Sequence, residues 1–402
     1  MNNKSSLFII DLNRIDVLTL SSVFTTFFAI MFAINEHIYL AMALLFVAMT
    51  ADALDGMLAR KYGLEREFGR YLDGFMDMLI YLVAPAIVML QWGFKGYYCV
   101  FIMLMIGAGS VRLSVFNQVG NVESTAVDGQ KNLSYLGMPV FWSVFILAAA
   151  ILVEVMFGST TAYVLLAVLL LAFSFYMVVS KPFFKFRSLR QILFLTVSGF
   201  LIFAVLELVQ YGIQSPLNVL LVVLCLQIPV VMGGVLHMLM VTRNNLSWLA
   251  VPIQRDWFGA NKTWRGVVAM PVLTALGGVC LYPVEWLFNA VFNHALIGSV
   301  LPFDANLVFL GFIAGVGYIL GELPNSFFKR RIGIQAGDVP EDKKYWFIAL
   351  DQLDSAIGVG LAYWLVLGVS FDVVWLYIIT FPITALLVKQ WLFSKKLKAT
   401  SV

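Results

Sequence analysis

Across 402 residues, 61% are hydrophobic and 12% charged, with 26 Lys and Arg against 23 Asp and Glu. A soluble domain carries about 25% charged residues, so this composition excludes one. The net charge of +3 gives no ground for a nucleic-acid partner, and the isolated Cys99, Cys225 and Cys280 match neither a disulfide framework nor a zinc-ligand spacing.

Up to Asp16 the chain carries Asn, Lys, Ser, Asp and Arg side chains, and the apolar run that follows has no small-residue cleavage site. This predicts a retained anchor, not a cleaved signal peptide. Apolar runs near the ~20 residues needed to cross a hydrocarbon core then recur to the end of the chain. They predict about twelve spans, over 17–34, 38–57, 69–92, 97–118, 135–155, 160–180, 191–211, 217–241, 266–290, 304–322, 346–368 and 370–392. The runs are continuously apolar, which selects helices over the alternating strands of a barrel. The expected fold class is an all-α polytopic integral membrane protein with its helices in two bundles.

With both termini on one side, that side collects every Lys and Arg except Lys95. The far side has nearly uncharged turns such as Phe157 to Thr160 and Leu367 to Ser370. The positive-inside rule makes the basic side cytoplasmic, in the cell inner membrane, where it would lie against anionic membrane lipids. The basic loop Lys181 to Arg190 marks a seam. Residues 1–180 are expected to form one membrane domain, 181–215 a connector with one span, and 216–402 a second membrane domain. The longer polar loops, at about 58–68, 112–134, 243–265 and 323–345, hold nearly all the charge that could carry chemistry.

Around the first of these loops Asp52, Asp55, Gly56, Ala59 and Arg60 are followed, after eight residues, by Gly69, Asp73 and Asp77. Asp52 and Asp55 share a helix face, and Gly69, Asp73 and Asp77 recur every four residues as a stripe on the next helix. Read as helix-end charges, the aspartates would pair with Arg60, Lys61, Arg66 and Arg70. Read together, two helices joined by a short turn converge four carboxylates at the edge of the membrane, where such groups pair, bind ions or line wet cavities. Hard oxygen donors suit Mg²⁺, Mn²⁺ or Ca²⁺.

The pattern D-x-x-D-G-x-x-A-R-x8-G-x3-D-x3-D resembles the signature of the CDP-alcohol phosphatidyltransferases, with every specified position filled. That resemblance implies a six-helix domain and a two-metal centre of Mg²⁺ or Mn²⁺ on Asp52, Asp55, Asp73 and Asp77. It also places Gly56, Ala59, Arg60 and Gly69 near the nucleotide of CDP-diacylglycerol. Asp77 would be the base that takes the acceptor proton as CMP leaves, and homodimers occur in that family. Further on, Arg112, Phe116 and Asn117 precede Gly137-Met138-Pro139 at the opening of the fifth predicted span. By position alone Arg112 either snorkels or binds an anion. The combination is similar to the bacterial phosphatidylserine synthase and archaetidylserine synthase branch, which implies serine as acceptor and Arg112 on a substrate phosphate or the serine carboxylate. Two features depart from it: a long loop from Gln118 to Ser134, and a partial match over Tyr81 to Pro85.

The second half carries Asn261, Lys262, Thr263, Trp264, Arg265 and Gly266 in one loop, then Asn325, Ser326, Lys329, Arg330 and Arg331, then Asp351 and Asp354. Basic clusters at helix ends are ordinary topology signals; equally, they suit a triphosphate, with the two aspartates three apart on one face. The wording N-K-T-W-R-G, S-F-x-K-R-R-x-G and D-Q-L-D resembles CDP-archaeol synthase, a relative of the phosphatidate cytidylyltransferases. The resemblance implies CTP and phosphatidate as substrates, phosphates held by Lys262, Arg265, Lys329, Arg330 and Arg331, and Mg²⁺ on Asp351 and Asp354. Gly321-Glu322 stands where Gly-Asp is usual. The expectation is a phospholipid-synthesis enzyme whose second half makes the CDP-lipid that the first consumes. The competing readings are an inositol phosphate or glycerol phosphate acceptor, a non-catalytic second half, and a transporter. A transporter fits poorly with charge gathered at the surface and not at the midplane.

Overall fold

The computed structural model describes residues 9–119, 122–125, 131–184, 188–301, 306–334 and 344–394. Lys185 to Arg187 of the basic seam, and parts of the loops at 112–134 and 323–345, lie outside the described residues. Two compact units form, Met1–Gln210 and Tyr211–Val402.

In the first unit, α1 (Arg14–Ile34) starts at a capping box: Asn13 accepts from the Ile15 and Asp16 N–H groups, and Asp16 accepts from the Asn13 N–H at 2.7 Å. α2 (Ile38–Tyr62) stops at Gly63, whose left-handed backbone (φ 63°) lets Leu64 N–H close on the Ala59 carbonyl at 3.0 Å. α3 (Glu67–Met78), a π-helical turn at Leu79–Val83 and α4 (Ala84–Trp92) run on as one rod. The wide turn has a local cause. Pro85 has no N–H for the Tyr81 carbonyl and its ring crowds that oxygen. Ala84 N–H reaches back five residues to Leu79, while the Ser143 hydroxyl donates to the freed Tyr81 carbonyl at 2.5 Å.

The unit continues with α5 (Cys99–Val119), β1 (Val122–Thr125), β2 (Lys131–Leu136), α6 (Trp142–Phe157), α7 (Ser159–Val178), β3 (Pro182–Phe183) and α8 (Leu189–Tyr211). The span expected from 135 begins at Trp142 instead. Tyr135 and Leu136 pair with Phe183 and Pro182, and Gly137 N–H donates to the Lys181 carbonyl at 2.9 Å, so this stretch is strand and turn. The core between α1, α2 and α4 is built on Ala29, Ala33, Ala41, Ala43, Ala48 and Ala84, all fully buried. Small residues let backbones approach closely where lipid offers no hydrophobic penalty for separation.

In the second unit, α9 (Pro216–Thr242), the short α10 (Arg255–Phe258), α11 (Trp264–Val279), α12 (Leu281–Phe292), α13 (Leu307–Arg331), α14 (Lys344–Leu367) and α15 (Phe371–Ser394) pack on glycine contacts. Gly233 of α9 and Gly315 of α13 both face Thr274 of α11, whose hydroxyl is satisfied by the Met270 carbonyl at 2.8 Å. Gly317 and Gly321 of α13 meet Gly358 of α14 backbone to backbone. Among the described residues, ten helices are long and apolar enough to cross a membrane, and α6 is a shorter apolar helix of 16 residues. The chain is an all-α polytopic integral membrane protein, and the strands among its described residues form one small sheet.

Candidate functional sites

The convergence expected of α2 and α3 occurs. One carboxylate oxygen from each of Asp52, Asp55 and Asp73 lies within 4.8 Å of the others. Asp77 joins them in lining a cavity of about 230 Å³, with Gly56, Arg60 and Arg112. Two hydroxyls orient the carboxylates: Tyr81 donates to Asp52 Oδ2 at 2.7 Å and Thr19 to Asp55 Oδ2 at 2.5 Å. Asp52 Oδ1 is left buried with no hydrogen-bond partner, an arrangement that costs free energy unless a cation completes it. An all-carboxylate donor set of this spread fits hard divalent ions, Mg²⁺, Mn²⁺ or Ca²⁺.

Around this centre the cations are placed differently. Arg60 is exposed at the cavity rim, folded back over Gly56, where an added Cβ would lie 3.6 Å from its Nη1. Arg112 is 6% exposed and does not snorkel: its guanidinium sits over the rings of Phe116 and Tyr135 at 5.5 and 5.6 Å, with Nε buried and unpartnered. Burial, reinforced by the nearby Asp77 carboxylate, pushes the Tyr135 phenol up to about 12, so it remains a neutral hydroxyl. Gly74 faces Asn117 so tightly that a Cβ would come within 2.6 Å of its amide nitrogen, which fixes α5 against α3 and Arg112 against the aspartates. Ala59 and Gly69 lie off the cavity wall; Gly69 instead faces Asp16 and Arg66. Those two form an ion pair, and Arg66 also donates to the Asp11 carbonyl at 3.0 Å, tying the start of α1 to the α2–α3 turn.

Thr19, Tyr81 and Tyr135 are site residues that sequence reasoning missed. Tyr81 follows Asp77 by four residues and so extends the stripe already in view. Thr19 lies 36 residues from Asp55 and carries no signal in the sequence. Replacing Tyr81 by Phe frees Asp52 to rotate, and is expected to weaken Mn²⁺ activation about 10- to 100-fold, the usual effect of losing a group that orients a metal ligand. A Mn²⁺ titration of activity checks this; an unchanged half-maximal concentration would refute it.

In the second unit a cavity of about 520 Å³ is lined by Lys262, Glu322, Asn325, Lys329, Arg330, Asp351 and Asp354, among others. The α13–α14 glycine contact brings Glu322, Asn325, Lys329 and Arg330 of α13 together with Asp351 and Asp354 of α14. Asn325 Nδ2 donates to Asp351 Oδ1 at 2.7 Å and to Asp354 Oδ2 at 2.6 Å. Lys329 ion-pairs with Asp351, and Lys262 Nζ lies 2.8 Å from Glu322 Oε1. The unusual Glu322 therefore stands within the cavity, answered by a lysine. Arg330 lines the wall and donates to the Ile334 carbonyl. Arg265 and Arg331 are off it: Arg265 is buried and donates to the Asn245 carbonyl at 3.3 Å, and Arg331 covers the Phe327 ring at 5.0 Å. Sequence reasoning gave Asn325 no role, although it bridges both aspartates. It also missed His237, which lines the cavity with Nε2 buried and unpartnered.

Two helical units, each with a carboxylate-bearing cavity among membrane-spanning helices, define an integral membrane enzyme. The family model for CDP-alcohol phosphatidyltransferase matches residues 12–180, and that for CDP-archaeol synthase matches 216–400. The chain belongs to the CDP-alcohol phosphatidyltransferase family in its first half and to the CDP-archaeol synthase-like family in its second. A CDP-diacylglycerol–serine O-phosphatidyltransferase of Bacillus subtilis is 30% identical over 129 residues, 31% of this chain and 67% of that protein. A CDP-archaeol synthase of Methanospirillum hungatei is 31% identical over 135 residues, 32% of this chain and 68% of that protein. An archaetidylserine synthase of Methanothermobacter thermautotrophicus is 30% identical over 129 residues, of which the chain spans about half the length, 52%. These relatives place the chain in phospholipid synthesis, as a membrane enzyme of the phosphatidyltransferase class.

Proposed function

We propose that the first unit transfers the phosphatidyl group of CDP-diacylglycerol to serine, releasing CMP. The observation that carries this reading is the Asp52–Asp55–Asp73 cluster with its orphaned Asp52 oxygen. Divalent ions held there would neutralise the diphosphate and stabilise the leaving CMP. The chain's own groups do the rest. Asp77 accepts the proton of the serine hydroxyl, whose oxygen bonds to the lipid-side phosphorus as the P–O bond to CMP breaks. Arg60, at the rim over Gly56, receives a nucleotide phosphate. Arg112, desolvated between Phe116 and Tyr135, receives an anion of the acceptor or of the lipid phosphate.

Serine is favoured over phosphorylated acceptors because Arg60 and Arg112 are the only cations among the described cavity-lining residues. Inositol phosphate or glycerol phosphate would bring an additional dianion to be matched. The serine synthase among the relatives supports the same choice. The orientation that fits is the one with the termini and both sites at the cytoplasmic face of the cell inner membrane. Purified protein given CDP-diacylglycerol, Mn²⁺ and each labelled alcohol in turn tests the acceptor. Labelled phosphatidylserine is expected, and transfer to inositol phosphate or glycerol phosphate in its place would refute the assignment.

For the second unit we propose synthesis of the CDP-lipid from CTP and phosphatidate with loss of diphosphate. Lys262, Lys329 and Arg330 line the cavity that would receive the triphosphate. Asp351 and Asp354 would hold Mg²⁺, which requires Lys329 to leave Asp351 for a phosphate oxygen. Joined in one chain, the two activities raise the local concentration of an intermediate confined to the bilayer.

A further inference from the structure

We infer that α8, the span after the six family helices, is a working part of the transferase: its Ile192 forms a wall of the aspartate cavity and sets how the CDP-lipid sits. The inference rests on the transferase reading above.

Ile192 lines that cavity together with Asp52, Asp77 and Arg112, although it lies beyond residue 180, where the family match ends. It begins a stripe down one face of α8: Ile192, Thr196, Gly199, Phe203 and Glu207 follow at helical spacing. The last four are buried. Thr196 bonds within its own helix, to the Ile192 carbonyl at 3.1 Å, and the other three are engaged with α2 and its N-terminal end. Gly199 meets the Phe46 ring of α2 so closely that a Cβ would lie 2.6 Å from it. Phe203 stacks on the same ring, with centroids 6.0 Å apart. At the far end Glu207 is fully buried, its Oε1 2.7 Å from His37 Nδ1 and its Oε2 accepting the Leu40 N–H at 3.2 Å. A buried carboxylate is costly to place in a membrane bundle and is tolerated only with partners this well fixed. α8 is thus keyed to the transferase fold at its middle and at one end, while its other end closes the reaction cavity.

The wall is apolar: Ile192 and Phe141 are half-buried and Val140 is buried. An apolar wall beside a diphosphate site is chemistry for the glycerol and upper acyl portion of the donor, not for a free amino acid. Ile192 is accordingly assigned as a specificity-determining residue for the lipid donor, and Gly199 as a positioning residue that acts through it.

The test uses the full chain with supplied CDP-diacylglycerol, varying lipid and serine separately. Ile192→Trp is expected to raise KM for CDP-diacylglycerol about tenfold, equivalent to about 1.4 kcal/mol, with kcat and the serine KM within about twofold, and Ile192→Leu to restore it. Gly199→Leu, whose side chain would drive α8 off Phe46, is expected to shift the same KM in the same direction. Ile192→Cys provides a reading that does not need turnover: a maleimide should label it, and CDP-diacylglycerol with Mn²⁺ should protect it. An unchanged lipid KM in Ile192→Trp, or labelling that the donor does not slow, would overturn the inference while wild-type turnover left the transferase reading intact. A wild-type chain that transfers nothing, together with Ile192→Cys labelling that the donor does not slow, would overturn both.

Discussion

Asp77→Asn is expected to lower headgroup transfer from supplied CDP-diacylglycerol by about 100- to 10,000-fold, the range a positioned general base contributes. Asn has the shape of Asp but cannot take the acceptor proton. Asp77 stands outside the closest carboxylate triplet, which is formed by Asp52, Asp55 and Asp73. The variant should therefore still bind Mn²⁺ and CDP-lipid. Asp52→Asn should behave differently, losing Mn²⁺ activation as well, because Asp52 Oδ1 is the oxygen left without a partner. Initial rates with labelled serine, measured across a Mn²⁺ series, separate the two. If Asp77→Asn kept more than about a tenth of the wild-type rate, Asp77 would not be the base.

Gly358→Leu is the substitution expected to damage the second unit most. A Cβ at this position would fall on the Gly317 carbonyl oxygen and 2.7 Å from the Gly321 Cα, both backbone atoms that cannot step aside. α13 and α14 must separate, and Asn325 then loses its reach to Asp351 and Asp354. A displacement of about 1 Å in a positioned site costs on the order of a hundredfold in rate. CTP-dependent formation of CDP-lipid should fall by at least about that factor, while transfer from supplied CDP-lipid stays within about twofold, because Gly358 belongs to the other compact unit. Gly358→Ala should give a smaller loss of the same kind. Full CTP turnover in Gly358→Leu would mean that the helix contact does not build the site.

The parts of this arrangement legible in the sequence are those fixed by local spacing. Span positions follow from apolar runs, and the aspartate stripe follows from intervals of three and four residues. What escaped depends on contacts between distant segments. Nothing near Asp55 points to Thr19, and nothing near Asp354 points to Asn325 as its partner. The fifth span starts seven residues later than its apolar run: Tyr135 to Phe141 is apolar enough to pass for helix. Its backbone is instead taken up by β3 and the Lys181 carbonyl. Ala59 and Gly69 match the motif yet lie off the cavity, so a filled motif position does not by itself make a wall residue. The partial match over Tyr81 to Pro85 has a structural counterpart in the π turn, which keeps Tyr81 against Asp52 while Ser143 takes its carbonyl. The seventh span, expected as a connector because residues 181–215 match neither family resemblance, meets the Phe46 ring of α2 through Gly199 and Phe203.

The most direct measurement supplies purified protein in lipid micelles with Mg²⁺ or Mn²⁺, phosphatidic acid, labelled CTP and labelled serine, alongside Asp77→Asn and Asp351→Asn. Wild type is expected to make phosphatidylserine, Asp77→Asn to stop at the CDP-lipid, and Asp351→Asn to make product only when CDP-lipid is supplied. Product from wild type only when CDP-lipid is supplied would contradict the two-step account and leave the first unit as the sole catalyst.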